Sequence, residues 1–422
     1  MRRSYLSGAV IAALVLGGCA SSTGVGETVS PLSDGGPQQE SGAGGTGGFS
    51  HEAGPDAPKD AAPEAAAGTG GGDSSAPDAQ SDTAQPQEAG SEAAPDAGGQ
   101  GCIQGSFSPY YGNLHAHTSY SDGEKTPQDA FAWARDQAGL DIMAVTDHLE
   151  QVMIPTRWSD CKAAANAANA PGSFVALCGF EYATFSTPPI STGHNNVFFS
   201  DGLMNPTNYD VSDVYDSLAA CPTCIGQFNH PGDDATQTWN NFDFVAAVDD
   251  RLTLFEFNGG GPVWDLYFQA LQQGWHVSPM NDQDNHSADW GTKNDHRSGF
   301  FLASLDRSSL WDAMKHRRTF QTLDKNASIR LMAGDCWMGS ILKGYGQVAF
   351  ECGATDPDSS DGFATIELFG PGKQLLGSVD CQGQQSCQLS GVSVDSSAVA
   401  FVVARATQLD GDQLVAAPIW LE

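Results

Sequence analysis

Short apolar runs punctuate the middle of the chain, and most close on a polar residue able to hold a metal. They are YYGNLHAH, DIMAVTDH, SFVALCGFE, HNNVFF, CIGQFNH, LTLFEFN and WHVSPMNDQDNH. Between them lie segments with helical signals: TPQDAFAWARDQAG, with Thr126 as N-cap and Pro127 at the first helical position, then DVSDVYDSLAA and VWDLYFQALQQG. RSSLWDAMKHRRTFQTLD reads as one more amphipathic helix closing this part. Strand followed by helix, repeated about seven times, predicts an α/β barrel with parallel strands over 102–326, whose chemistry sits at the carboxyl ends of the strands. After residue 326 the texture changes. QVAFECGA, FATIELFGPG, SAVAFVVARATQ and APIWLE alternate apolar and polar residues between Gly, Asp and Ser turns, which predicts a small antiparallel β-sandwich over 327–422 with Trp420 in a core strand.

The first hundred residues follow another logic. Residues 1–19 carry Arg2 and Arg3, then an apolar run short for a bilayer span, then Leu16-Gly17-Gly18-Cys19. This is an export signal, and its last four residues resemble the lipobox of bacterial lipoproteins, which implies lipidation of Cys19. Residues 20–101 are Gly, Ala, Ser, Pro, Asp and Glu with almost no large apolar side chain, too few to offset the entropy of ordering. Thirteen carboxylates against one lysine extend this tether by self-repulsion. The expected location is therefore the bacterial cell envelope, outside the cytoplasm and membrane-anchored, with the outer membrane favoured because Ala20 offers no Asp-type retention signal.

The whole chain of 422 residues has a formal charge of −32, which argues against a nucleic-acid partner. Nine cysteines follow Cys19, and in an exported protein they favour disulfides, with Cys161–Cys178 and Cys381–Cys387 as local pairs and one thiol left over. Cys221-Pro-Thr-Cys224 matches a redox or zinc motif, but without a second such pair a structural disulfide is the better reading.

Candidate chemistry concentrates at the ends of the apolar runs. In GNLHAHTSYSDG, His115 and His117 stand two apart, so on an extended strand both imidazoles point one way and can share an ion. Asp122, His148, Glu181, His194, His230, Asp284 and His286 follow in later segments. That ordered set, HxH with SDG, TDH, an isolated Glu, GHNNV, NHP and DNH, resembles the PHP superfamily of polymerase and histidinol phosphatase domains over roughly 107–300. The C-terminal layout resembles lipoprotein members of the carbaryl-hydrolase-like branch. The resemblance implies a distorted seven-stranded, TIM-like β/α barrel and two or three divalent transition-metal ions, zinc, manganese or iron. It implies one ion on His115, His117, Glu181 and Asp284, a second on Glu181, His194 and His230, and a third on Asp122, His148 and His286.

Catalytic roles are expected of Asp122 and His148. Arg297 offers a guanidinium to clamp a substrate phosphate or carboxylate, a surface ion pair being the plain alternative. Asp147 is expected to orient an imidazole rather than ligate, Glu256 to be a pocket residue at most, and His276, His296 and His316 to be ordinary structural histidines. The function expected is a monomeric metal-dependent hydrolase acting on a small phosphoester. The same site acting on a carbamate, ester or amide is the first alternative. A surface binding protein with an inert barrel is the second.

Overall fold

The computed structural model of the protein describes residues 101–422 except 184–192, 233–238 and 259–261. The readings of residues 1–100, Cys19 among them, lie outside the described residues. Among those described, no helix is long and apolar enough to cross a membrane.

Three parallel strands open the fold: β1 (Ser108–Asn113), β2 (Ile142–Val145) and β3 (Val175–Cys178). All four residues of β2 and of β3 are buried, as strands covered on both faces require. One residue, Gly179, separates β3 from β4 (Phe180–Tyr182), which starts a second sheet ordered β4, β5 (Asn195–Phe198), β6 (Ile225–Phe228), β7 (Leu252–Glu256), β8 (Ser278–Met280). Here β6, β7 and β8 are parallel, while β5 runs antiparallel to both of its neighbours. The expected barrel strands therefore divide into two sheets, and a continuous TIM-like ring is not what their hydrogen bonds describe. Two isolated parallel bridges, Ala116 to Asn285 and His148 to Glu181, link segments of the two sheets just where the ligand candidates stand.

The fold then turns antiparallel with β9 (Arg297–Leu302) and β10 (Thr319–Thr322), β9 lying between β1 and β10. Beyond residue 326 come β11 (Ser328–Ala333), β12 (Cys336–Trp337), β13 (Ile341–Leu342), β14 (Gln347–Thr355), β15 (Phe363–Gly370), β16 (Gln374–Gln384), β17 (Ser386–Asp395), β18 (Phe401–Gln408), β19 (Gln413–Ala416) and β20 (Ile419–Leu421). Strands β12, β11, β14 and β17 form a four-stranded sheet. By contrast, β19 pairs with β10, so β13, β20, β18 and β19 extend the first sheet across the position where the texture of the sequence changes. Ile329 and Leu331 of β11, Phe350 of β14, Ile366 of β15 and Ala404 of β18 share one apolar core. Trp420 is buried as expected, in β20, against a second core that includes Phe401 and Trp275.

The helix Pro127–Asp136 starts as its sequence predicts. The Thr126 side chain accepts from the Asp129 amide, Asp129 returns the bond to the Thr126 amide, and Pro127 fills the first position. The helix Arg157–Ala168 has no one-sided apolar pattern to announce it, and Cys161–Cys178 ties it to β3. The last predicted helix is shorter than expected, ending at Lys315. Arg317 takes a left-handed backbone (φ 58), and Thr319–Thr322, rich in β-branched and aromatic residues, becomes β10.

Asp306 caps that helix by accepting from the Ser309 amide. Burial opposes its ionisation, but hydrogen bonds from Ser304, Ser308 and Ser309 prevail and hold the carboxyl at about 2, below the ordinary 3.8. A depressed folded-state pKa contributes stability that is present above the unfolded value and lost as pH falls through the folded one. Asp306→Ala is expected to cost about 1 kcal/mol at neutral pH. In denaturant melts the gap between variant and wild type should close as pH drops from about 4 to about 2.

Four disulfides are formed. Cys161–Cys178, Cys381–Cys387 and Cys221–Cys224 are the pairs the sequence favours, and Cys102–Cys336 closes a separation of 234 residues. The unpaired thiol among the described residues is Cys352, buried in β14. His276 bonds Asp249 (2.6 Å) and Glu422 (3.0 Å) and packs on Trp420, pinning β20, while His316 pairs with Asp312 (2.7 Å).

Candidate metal centre

His115 and His117 follow β1 and are fully buried. Nδ1 of His115 faces both oxygens of Glu256, each at 3.2 Å. Because a carboxylate only accepts, that nitrogen carries the proton and Nε2 is left with a free lone pair. His117 reaches the same state by a relay: Ser121 Oγ donates to Asp147 (2.6 Å), so it accepts from His117 Nδ1 (3.1 Å). The two Nε2 atoms then meet at 3.2 Å, a repulsive contact unless a proton or a metal ion lies between them. Gly123 is required beside them, since a Cβ there would stand 2.6 Å from the His117 carbonyl oxygen.

Carboxylates complete the first group. Asp284 Oδ1 lies 3.3 Å from His115 Nε2 and 3.2 Å from His117 Nε2, and it is buried with no hydrogen bond. Glu181, on β4 and 1% exposed, faces five imidazoles. Its Oε1 is 3.4 Å from His115, 3.2 Å from His194 and 3.4 Å from His230, and its Oε2 is 3.2 Å from His117 and 3.1 Å from His148. Nitrogens and oxygens of His115, His117 and Glu181 lie within 4.8 Å of one another, and so do those of Glu181, His194 and His230. A third group joins Asp122, His148 and His286 with His117. Asp122 lies 3.6 Å from His148 and 3.3 Å from His286, whose ring stacks on His117 at 4.1 Å. This group stands towards solvent, Asp122 being half exposed.

The electrostatics call for positive charge. Burial disfavours protonated His115, yet Asp284, Glu256 and Glu181 raise its pKa well above the usual range. His117 is opposed by burial in the same way, and Asp284 and Glu181 lift it to about 9. Burial would raise Glu181 and Asp284, yet His115 and His117, joined at Glu181 by His194, together hold both well below ordinary carboxylates. Protons and a divalent ion compete for such lone pairs, so the residues present fit metal ions. Backbone strain marks the same place: His230 (φ 32) and Asp284 (φ 44) both carry positive φ.

Several partners were not evident from the sequence. Glu256 is fully buried and, besides facing His115, accepts from the His230 amide at 2.6 Å, so one carboxylate sets two histidines. Asn229 donates to Glu181 at 2.8 Å. Asp282 accepts from the Leu114 amide and Ser298, fixing the chain between β1 and the histidines, and burial, aided by Glu256, pushes its carboxyl to about 7. The signal for Glu256 was its place at the end of β7. The expected role for Arg297 is corrected: its guanidinium is buried and donates to the carbonyls of Gly291, Asn294 and His296, holding that turn instead of facing a substrate. Glu256→Gln, which weakens the hold on the His115 tautomer, should lower metal affinity about 10- to 100-fold in competition with a chelating dye.

Fold and site together define a mixed α/β protein whose buried imidazole and carboxylate clusters fit divalent metal ions. A family of proteins of unknown function (DUF3604) matches residues 140–220. No curated protein matches the chain. Among solved structures, the chain is similar to a two-domain protein from Bacteroides vulgatus containing a predicted PHP-like metal-dependent phosphoesterase, at 15% identity and a TM-score of 0.43 over 74% of this chain and 94% of that one. It is also similar to a lesion-specific endonuclease from Pyrococcus furiosus (14% identity, TM-score 0.34, 49% of this chain and 56% of that one). An amidohydrolase from Chromobacterium violaceum with bound sulfate matches at 15% identity and a TM-score of 0.26, over 43% of this chain and 89% of that one.

Proposed function

We propose that this chain is a metal-dependent hydrolase of the PHP type that cleaves a small phosphoester. The observation that carries the proposal is Glu181, one buried carboxylate within 3.4 Å of nitrogens from five histidines. His115, His117, Glu181 and Asp284 would hold one ion, Glu181, His194 and His230 a second, and Asp122, His148 and His286 a third, with zinc, manganese and iron suited to these donors. When bound, such ions lower the pKa of coordinated water and offset negative charge on the substrate. Glu256 and the Ser121–Asp147 relay hold the Nδ1 protons of His115 and His117, so that a metal ion displacing the Nε2 proton would meet Nε2 on each ring. Asp122, half exposed, and His148 beside it at 3.6 Å are placed to exchange a proton with water or a leaving group. We also propose export and attachment through Cys19, a reading supported by the four disulfides, which suit an oxidising compartment.

Elemental analysis of the purified protein together with a panel of nitrophenyl phosphates, esters and carbamates tests this reading. Two or three transition-metal ions per chain and chelator-sensitive turnover of the phosphates are expected. Turnover confined to carboxyl derivatives would move the assignment to ester, amide or carbamate hydrolysis, and failure to retain any transition metal would remove the hydrolase reading altogether.

A further inference from the structure

We propose that Asp324, Asp356 and Asp361, with the side-chain carbonyl of Gln408, form a calcium site separate from the histidine centre. Three loops meet there. Asp324 lies between β10 and β11, Asp356 and Asp361 stand at the two ends of the β14–β15 loop, and Gln408 ends β18. One oxygen from each carboxylate lies within 4.8 Å of the others. Asp324 is 8% exposed and Asp356 4%, and among the described residues neither these two nor Asp361 forms an ion pair with Lys or Arg. Lys325, the nearest basic side chain in sequence, reaches Asp358 instead, at 3.6 Å. Backbone amides of Asn326 and Ala327 donate to Asp324 and that of Asp358 to Asp356, yet three clustered carboxylates still repel one another, a cost that a proton or a metal would offset.

Gln408 supplies the second, independent observation. It is 1% exposed, and its Nε2 donates to Asp356 Oδ2 at 2.8 Å, which places the amide head against the cluster. Because a carboxylate oxygen only accepts, the other atom of that amide is the carbonyl oxygen, and it is buried with no hydrogen-bond partner. Asn326 Oδ1, on the Asp324 loop, is likewise buried and unpartnered. Three clustered carboxylates and an unsatisfied carbonyl on the side chain bonded to Asp356 offer oxygens alone, which suits a hard cation that accepts many ligands in irregular geometry. No imidazole or thiol takes part, so the set differs in kind from the histidine centre. The negative field extends beyond the cluster: burial first, then Asp410, Asp324 and Asp361, raises the carboxyl of Asp412.

A cation there would hold together elements far apart in the sequence. The β14–β15 loop is already tied to the β18–β19 turn by Leu409 N–H to Gly362 O, and β10 to β19 by Leu323 N–H to Gln413 O. The ion would lock the C-terminal strands onto β10, a structural role independent of hydrolysis.

The test uses the full chain, stripped with chelator and reloaded with zinc or manganese so that the histidines are filled, then titrated with calcium up to about 10 mM in equilibrium dialysis. One calcium ion per chain with a Kd on the order of 10⁻⁴ to 10⁻³ M is expected, as in extracellular calcium modules, with a rise of several degrees in Tm. Asp361→Asn, which keeps the shape and removes the charge, should weaken calcium binding at least about tenfold and abolish the Tm rise without altering transition-metal content. His115→Ala/His117→Ala should bind calcium as wild type does. The proposal is overturned if wild type takes up no calcium at 10 mM, if Asp361→Asn binds it equally well, or if the histidine variant loses it. The wild-type titration decides the matter even where a variant misfolds.

Discussion

Protein carrying alanine at both 115 and 117 should emerge from purification without the ion of the first group and turn over substrate at least about a thousandfold more slowly. Both imidazoles point one way from the segment after β1, and both have Nδ1 committed to a fixed acceptor, so the pair presents two pre-set lone pairs 3.2 Å apart. Removing them leaves Glu181 and Asp284 buried beside one another with fewer positive neighbours, which also disfavours metal-free protein. The rings belong to none of the four apolar clusters, so circular dichroism should be unchanged. Full activity and wild-type metal content in the double variant would refute the assignment.

Glu181→Gln is the more discriminating change. The amide keeps the volume and one carbonyl oxygen but removes the negative charge between the first and second groups. His194 and His230 both face Oε1 of Glu181, at 3.2 Å and 3.4 Å, so this carboxylate supplies negative charge to the second group as well as to the first. The expected result is loss of at least one ion per chain by elemental analysis and a fall in turnover of at least about a hundredfold, with substrate KM changed far less. A variant with unchanged stoichiometry and a normal rate would show that the glutamate is only a hydrogen-bond partner of Asn229 and the histidines.

Much of the centre was legible because its residues sit where the chain changes character, at the ends of buried runs. His115, His117, His148, Glu181, His230 and Asp284 each stand at or just past a strand end, and the structure gathers them. Glu256 occupies the same kind of position, but its role depends on which segment lies across the sheet, a long-range fact that no local pattern encodes. Arg297 failed for the opposite reason: proximity in sequence to DNH suggested a clamp, whereas three backbone carbonyls claim its donors. The helix 157–168 was missed because its alanines lack a one-sided apolar pattern. The ring of parallel strands was over-regularised, since β5 reads the same in either direction and only its pairing partners decide the sense.

The Cys102–Cys336 bond has a mechanical meaning. Tension applied to the chain at Cys102 passes through a covalent link into β12. Beside it, Ile103 donates to Ser340 and accepts from the Trp337 amide, so the load is shared out within two residues. Strand β1 begins only at Ser108, and the histidines that follow it therefore stand downstream of a strain relief. Tension applied at Cys102 would then leave the ångström-scale spacing of the lone pairs unchanged.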